Sequence, residues 1–121
     1  MQYMLLIHSS EDAWNTLSEA EQGEMYAAYG AFTQAIKDKG AFIAGDQLAG
    51  ASDATTVRVR DGETLITDGP FAETKEQLGG YYLIEAESLD EAIEWAARIP
   101  GARYGTIEVR PLVMQSAEVA G

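Results

Sequence analysis

Asp68 is the side chain with the clearest setting for chemistry, because it opens the turn Asp68-Gly69-Pro70-Phe71. Proline fixes φ and glycine permits a reversal of the chain, so this segment predicts a tight turn. The Asp68 carboxylate could cap the turn by accepting backbone N–H groups, or it could serve as a general base or a ligand-binding group. The residues themselves leave both roles open.

His8 is the single histidine of the chain, which has no cysteine. It shares a strand face with Met4 and Leu6, which is typical of a packing residue, although histidine is also the side chain best suited to proton transfer near neutral pH. One histidine without cysteine argues against a zinc site, and no dinucleotide or phosphate-binding loop is present. We therefore name His8 and Asp68 as candidate catalytic residues and predict neither a metal nor a cofactor.

Four further side chains are candidates for contact with a ligand, namely Tyr29, Phe71, Lys75 and Tyr82. Each also has a structural interpretation. Tyr29 falls on the apolar stripe of a predicted helix, Phe71 could pack as a plug, and Lys75 lies in a charged run that is typical of a solvated loop. The pair Gly79-Gly80 precedes a strand rather than a helix, which indicates close backbone packing and not a nucleotide loop.

The elements that must position these residues follow the order strand, helix, strand, hairpin, strand, helix, strand. Apolar runs predict strands at 3–7 and 81–84 that are buried on both faces, with further strands at 41–48 and 106–112. Strands at 55–60 and 63–67 flank Asp61-Gly62, which is typical of a two-residue hairpin turn. This order predicts a ferredoxin-like α+β fold with both helices on one sheet face and an inserted β-hairpin.

Two helices begin at sequences of capping-box form, Ser18 to Glu21 and Ser88 to Glu91. Gly40 predicts the end of the first helix, and the polar stretch 9–15 before it is predicted to be a loop. The predicted buried stripes are Met25, Tyr29, Phe32 and Ile36 in the first helix, and Leu89, Ala92, Ile93 and Ala96 in the second. Because helices can cover only one face of the sheet, we predict that a second copy covers the other face, giving a homodimer.

Charge and composition restrict the partners of the chain. Its 121 residues include 8 basic and 20 acidic side chains, for a net charge of −12, which disfavours binding to nucleic acid and to anionic membranes. The N-terminus lacks the features of a signal peptide, and no apolar run is long enough to span a membrane, so we predict a cytoplasmic protein. Residues 1–114 are predicted to form a single domain, followed by a frayed tail at 115–121.

The segment from Asp68 to Glu85, DGPFAETKEQLGGYYLIE, closely resembles the signature of the DGPF-type branch of the YCII-related family. Segments 3–7, 55–62 and 94–100 are also similar to that family, so the resemblance covers nearly the whole chain. It implies the dimeric α+β barrel fold and an association with extracytoplasmic-function sigma factors. Other YCII-related proteins have a His–Asp pair whose histidine falls near Tyr29 here, and a tyrosine, which ionises near ~10, is a poor base.

Two functions remain open at this stage. The first is a small-molecule-binding dimer, with or without enzymatic activity, whose cleft lies between the sheet and the partner subunit. The alternative is a non-catalytic regulatory or interaction protein linked to a sigma factor, for which the acidity of the chain would suit a basic partner surface.

Overall fold

The computed structural model describes residues 1–113. The predicted tail at 115–121 lies outside the described residues. In chain order the elements are β1 (Gln2–Ser9), α1 (Glu11–Asn15), α2 (Glu19–Asp38), β2 (Phe42–Gln47), β3 (Thr55–Arg60), β4 (Glu63–Asp68), β5 (Gln77–Glu85), α3 (Leu89–Arg98) and β6 (Thr106–Pro111). Short 3₁₀ turns occupy Ala51–Asp53 and Pro100–Arg103.

Four strands form one antiparallel sheet in the order β2-β5-β1-β6. At its centre Leu5 lies opposite Tyr82 on one neighbouring strand and opposite Val109 on the other. Each half of the chain contributes a strand, a helix and a second strand, and the two halves interleave. The predicted ferredoxin-like α+β fold is therefore confirmed.

The core lies between the sheet and the two long helices. Alternate residues of β1, which are Tyr3, Leu5 and Ile7, point toward the helices and are buried. They meet Phe32 of α2 and Trp95 of α3, whose rings pack edge to face with centroids 6.2 Å apart. Full burial of each large apolar side chain stabilises the fold by about 1.5–3 kcal/mol, so this layer holds the helices onto the sheet.

The predicted limits of α2 are confirmed. Ser18 Oγ accepts the Glu21 N–H, and the Glu21 carboxylate accepts the Ser18 N–H, which completes the capping box. The Ser18 N–H, and after it the Ser18 hydroxyl, lower the pKa of the Glu21 carboxyl from its ordinary value. Gly40 ends the helix region with a φ of 71°, a conformation in which a Cβ would be strained.

Three local predictions were wrong in part. The stretch predicted as a loop contains α1, a short helix that begins with two acidic residues where the helix dipole favours them. In α3 the buried residues are Ala92, Trp95 and Ala96, whereas Leu89 and Ile93 are about half exposed, because the helix turns its largest side chain toward Phe32. Of the two hydrogen bonds of the second capping box, the one from the Glu91 N–H to Ser88 Oγ forms. The other does not, because the Glu91 carboxylate accepts the Glu87 N–H instead of the Ser88 N–H.

Strands β3 and β4 form the predicted hairpin as a separate two-stranded sheet. Asp61 and Gly62 both have positive φ, 51° and 78°, as a type I′ turn requires. Val57 lies opposite Ile66 in the ladder, and both side chains are more than half exposed. The hairpin contributes no residue to the buried core.

The face of the main sheet that points away from the helices is also apolar at its centre. Met4, Leu6 and Leu83 are half-buried there, and Glu108 and Arg110 lie beside them on β6. Among the described residues, no helix is both long and apolar enough to cross a membrane.

Candidate functional site

A cleft of about 660 Å³ opens between the sheet and the middle of α2, on the side of the sheet that the helices cover. Its volume lies within the range that is usual for small-molecule sites, about 300–1,000 Å³. The ends of β2 and β5 form the floor, and α1 borders the opening. Seven aromatic residues line it, Trp14, Tyr26, Tyr29, Phe42, Tyr81, Tyr82 and Tyr104.

Glycines in the floor leave room for one of these rings. A Cβ built on Gly45 would lie 2.8 Å from Cδ1 of Tyr82, so any larger residue there would displace the phenol. A Cβ on Gly80 would lie 3.1 Å from the Asp46 carbonyl oxygen, which agrees with the predicted close backbone packing at Gly79-Gly80. The width of the cleft therefore depends on glycine in both floor strands.

Tyr29 projects from α2 into the cleft. Its Oη accepts the Gly101 N–H at 3.1 Å and thereby connects α2 to the 3₁₀ turn after α3. Burial raises the pKa of Tyr29 above its ordinary value, and the nearby Tyr82 adds to the rise, while the Gly101 N–H opposes it. The hydroxyl is therefore neutral at physiological pH and can donate or accept a hydrogen bond, but it is not a base.

Tyr82 enters the same cleft from β5. Its Oη lies 2.7 Å from Thr33 Oγ1, and its ring packs edge to face on Phe32 with centroids 5.2 Å apart. Burial raises the pKa of Tyr82 as well, against a smaller lowering by Thr33. The structure thus brings together two of the sequence-predicted residues, Tyr29 and Tyr82, as a pair of neutral hydroxyls.

Two polar residues of the cleft were missed from the sequence. Gln77 lines it, and its side-chain oxygen Oε1 is buried without a hydrogen-bond partner among residues 1–113. Glu11 Oε1 accepts the Ala51 N–H at 2.6 Å, which ties α1 to the 3₁₀ turn after β2. Glu11 stands in no recognisable motif, and Gln77, although it lies within the signature segment 68–85, belongs to a strand only because β5 begins four residues before the predicted strand.

Trp14 was missed for a related reason, since it lies in the stretch predicted as a loop. Its ring packs edge to face on Tyr26 with centroids 5.3 Å apart, and the Gln22 side chain donates to the Trp14 carbonyl. One signal was available: a tryptophan in an otherwise polar stretch needs an apolar surface to cover it.

His8 lies on the opposite face of the sheet. Its Nε2 is 3.1 Å from Glu108 Oε1 on β6, and its neighbours on that face include Leu6. The ring therefore does not line the cleft. Any chemistry at His8 would take place on the outer face.

Asp68, Phe71 and Lys75 belong to the end of the hairpin and the segment after it. All three are exposed, Phe71 with 80% of its surface, and none lines the cleft. The turn itself is held by backbone groups, because the Gly69 N–H donates to the Ala54 carbonyl and Thr56 Oγ1 donates to the Gly69 carbonyl. In the described part of the chain the Asp68 carboxylate makes no hydrogen bond, so its role as turn cap or as base stays a prediction.

Comparison with known proteins agrees with the resemblance seen in the sequence. The family model of the YCII-related domain matches residues 1–115. An uncharacterised protein of Rhizobium meliloti (strain 1021) is 37% identical over 116 residues, which cover 94% of each chain. Among solved structures, 5-chloro-2-hydroxyhydroquinone dehydrochlorinase (TftG) of Burkholderia phenoliruptrix AC1100, in complex with 2,5-dihydroxybenzoquinone, is similar with a TM-score of 0.57. It is 17% identical, and the match covers 95% of this chain and 96% of that one, so it supports the fold alone.

Proposed function

The chain belongs to the YCII-related family, and we propose that it binds a small molecule in the cleft between α2 and the sheet. The observation that carries this proposal is the convergence of seven aromatic residues, two of them with neutral buried tyrosine hydroxyls, on a cleft of about 660 Å³. Apolar walls with a few placed polar groups are the usual composition of a ligand site. The sequence had predicted a cleft between the sheet and a partner subunit, whereas this one forms within a single chain.

The fold neighbour supports the proposal in one respect. TftG is an enzyme that was determined with a small ring compound bound, so a protein of this fold can hold a ligand of that size. Its identity of 17% is too low to carry the reaction over to this chain.

We also propose that the functional unit is a homodimer formed through the outer face of the sheet. Met4, Leu6 and Leu83 would be buried there by a second copy, which removes apolar surface from water. His8 and Glu108 would then lie at the interface. Because neither His8 nor Asp68 lines the cleft of its own chain, a catalytic role for either would need a site outside that cleft or one completed by a second copy.

An alternative function is that of a regulatory or interaction protein with a sigma factor as partner. The exposed apolar side chains of the hairpin, Val57, Val59 and Ile66, favour this alternative, because a protein partner would cover them. A cytoplasmic location and a single domain over residues 1–114 stay predictions.

A thermal-shift screen of monocyclic and bicyclic aromatic compounds tests the binding function. A ligand at about 100 times its dissociation constant stabilises the protein by about 2.7 kcal/mol, which raises Tm by roughly 10 °C for a domain of this size. The shift should be lost in Gly45→Ala, in which the new Cβ displaces the Tyr82 ring. Gly23→Ala is the matched control, because a Cβ on Gly23 meets no atom within 4 Å.

The variants Tyr29→Phe and Tyr82→Phe should weaken binding, whereas Tyr3→Phe, which removes a core hydroxyl outside the cleft, should not. A screen without any stabilising compound, combined with recovery of a sigma factor in a pull-down, would favour the alternative function. Light scattering at micromolar concentration tests the dimer separately, and a monomer mass would refute it.

A further inference from the structure

The polar groups of the cleft point to one chemical class of ligand. We propose that it selects an uncharged ring compound bearing a hydroxyl or amide group, and that it discriminates against carboxylates and phosphates. This inference rests on the proposed binding function and specifies the substrate class of the same site.

Charge supplies the first argument. The charged residues that line the cleft are Glu11 and Asp46, and no lysine, arginine or histidine lines it within the described part of the chain. Glu11 already contacts a backbone N–H, and Asp46 Oδ2 lies 3.5 Å from the Tyr81 hydroxyl. An anionic ligand would lose its hydration without gaining a cationic partner, in a chain whose net charge is −12.

Hydrogen bonding supplies the second argument. Gln77 Oε1 is a buried acceptor without a partner among the described residues, and such a group is unfavourable unless a donor reaches it. Because Gln77 lines the cleft, a turn of its side chain would present this acceptor to a hydroxyl or an amide N–H on the ligand. A bound hydrogen-bond donor would therefore explain the unpaired acceptor. An anion that carries no hydrogen atom to donate would leave it unpaired.

Tyr29 supplies the complementary group. Its Oη accepts the Gly101 N–H, and within residues 1–113 the hydroxyl hydrogen has no protein acceptor. By contrast, the hydroxyls of Tyr82 and Thr33 satisfy each other at 2.7 Å. Within the described residues the cleft thus has one unpaired acceptor at Gln77 and one unpaired donor at Tyr29, which a ligand with both a hydrogen-bond donor and an acceptor can satisfy.

Three probes with the same ring separate these properties: benzyl alcohol, benzamide and benzoate. Binding can be followed by the fluorescence of Trp14, which lines the cleft, with Trp14→Phe to identify the signal of the core Trp95. We expect the two neutral probes to bind at least about tenfold more tightly than benzoate, as the loss of one buried hydrogen-bonded contact implies.

Two variants assign the selectivity to named residues. Gln77→Met should weaken benzamide binding about tenfold, whereas Gln34→Met, an exposed glutamine that bonds to Asp38, should leave it unchanged. The variant Glu11→Gln should lower the ratio of the benzoate to the benzamide dissociation constant, because it removes a negative charge that lines the cleft.

The outcomes distinguish this inference from the function on which it rests. If benzoate binds as tightly as benzamide, and Gly45→Ala abolishes both, the cleft is a ligand site and the proposed selectivity is wrong. If none of the three probes binds at millimolar concentration and the aromatic screen is also silent, the binding function itself is refuted. A Gln77→Met variant with unchanged benzamide affinity would likewise overturn the assignment of the acceptor.

Discussion

The contact between Gly101 and Tyr29 gives a quantitative test of how the cleft is built. A Cβ on Gly101 would lie 2.5 Å from Tyr29 Oη, which is well inside the contact distance of carbon and oxygen. In Gly101→Ala the phenol must therefore move and give up the hydrogen bond from the buried Gly101 N–H. Overpacking lowers the free energy of unfolding by about 1–3 kcal/mol, and an unpaired buried N–H lowers it by about the same amount. Replacing glycine by alanine raises it by about 0.4–1 kcal/mol, because the unfolded chain has less conformational entropy. We expect a net destabilisation of about 3 kcal/mol.

A second substitution should rescue this variant. With Tyr29→Phe the oxygen is gone, and the nearest ring atom to the new Cβ is Cζ at 3.7 Å, an ordinary van der Waals distance. The single variant Tyr29→Phe should cost about 1–2 kcal/mol, because it leaves the Gly101 N–H unpaired. The double variant should cost no more than Tyr29→Phe alone, so that the two substitutions are coupled by about 3 kcal/mol.

Urea denaturation, followed by tryptophan fluorescence, measures all four corners of this double-mutant cycle. Combining Tyr29→Phe with Gly23→Ala gives a control pair without contact, whose effects should add. A Gly101→Ala variant as stable as the wild type would contradict the close contact between Gly101 and Tyr29 Oη. Equally, a double variant destabilised by the sum of its two single effects would show that Tyr29 does not occupy the position described.

Three further predictions concern stability. Burial raises the pKa of Tyr29 and Tyr82 above the ordinary 10.0, so the neutral forms favour the folded state. This contribution to stability is lost as the pH rises above about 10. Above that pH the free energy of unfolding should therefore fall more steeply in the wild type than in the variant with both tyrosines changed to phenylalanine. Ser18→Ala should destabilise the protein by about 1 kcal/mol in urea denaturation through loss of the α2 cap, and an unchanged midpoint would contradict the capping box. Gly30→Ala should stabilise α2 by about 0.5–1 kcal/mol, because a Cβ there meets no atom within 4 Å, and a lower Tm would contradict that open space.

Much of the fold could be predicted because its signals are local. The capping box at Ser18, the stop at Gly40 and the turn at Asp61-Gly62 each depend on a few neighbouring residues, and each forms as predicted. The alternation of β1, with Tyr3 inward and Met4 outward, follows from strand geometry. These features do not depend on distant parts of the chain.

The predictions that were wrong concern elements whose position depends on contacts between residues far apart in sequence. The face that α3 buries is set by Trp95 packing on Phe32, a contact across 63 positions that periodicity cannot register. Helix α1 is too short to show a stripe, and it is tied down by Glu11 binding the Ala51 N–H.

The residues of the candidate site also differ in whether local sequence or distant contacts determine their position. Tyr29 and Tyr82 could be named because their residue type and element were both evident. The unpaired oxygen of Gln77 and the displacement of His8 from the cleft could not be named. Both depend on the start of β5 and on the irregular register that pairs His8 with Leu78.

The separation of the hairpin from the core has a consequence for how the molecule opens. Its six-pair ladder shares no buried residue with the main sheet, so the amides of β3 and β4 can exchange with solvent through a local opening while the core stays folded. A core substitution should therefore accelerate hydrogen exchange in β1 and β5 and leave the hairpin amides at their original rates. We therefore expect the hairpin and the core to open as two separate cooperative units.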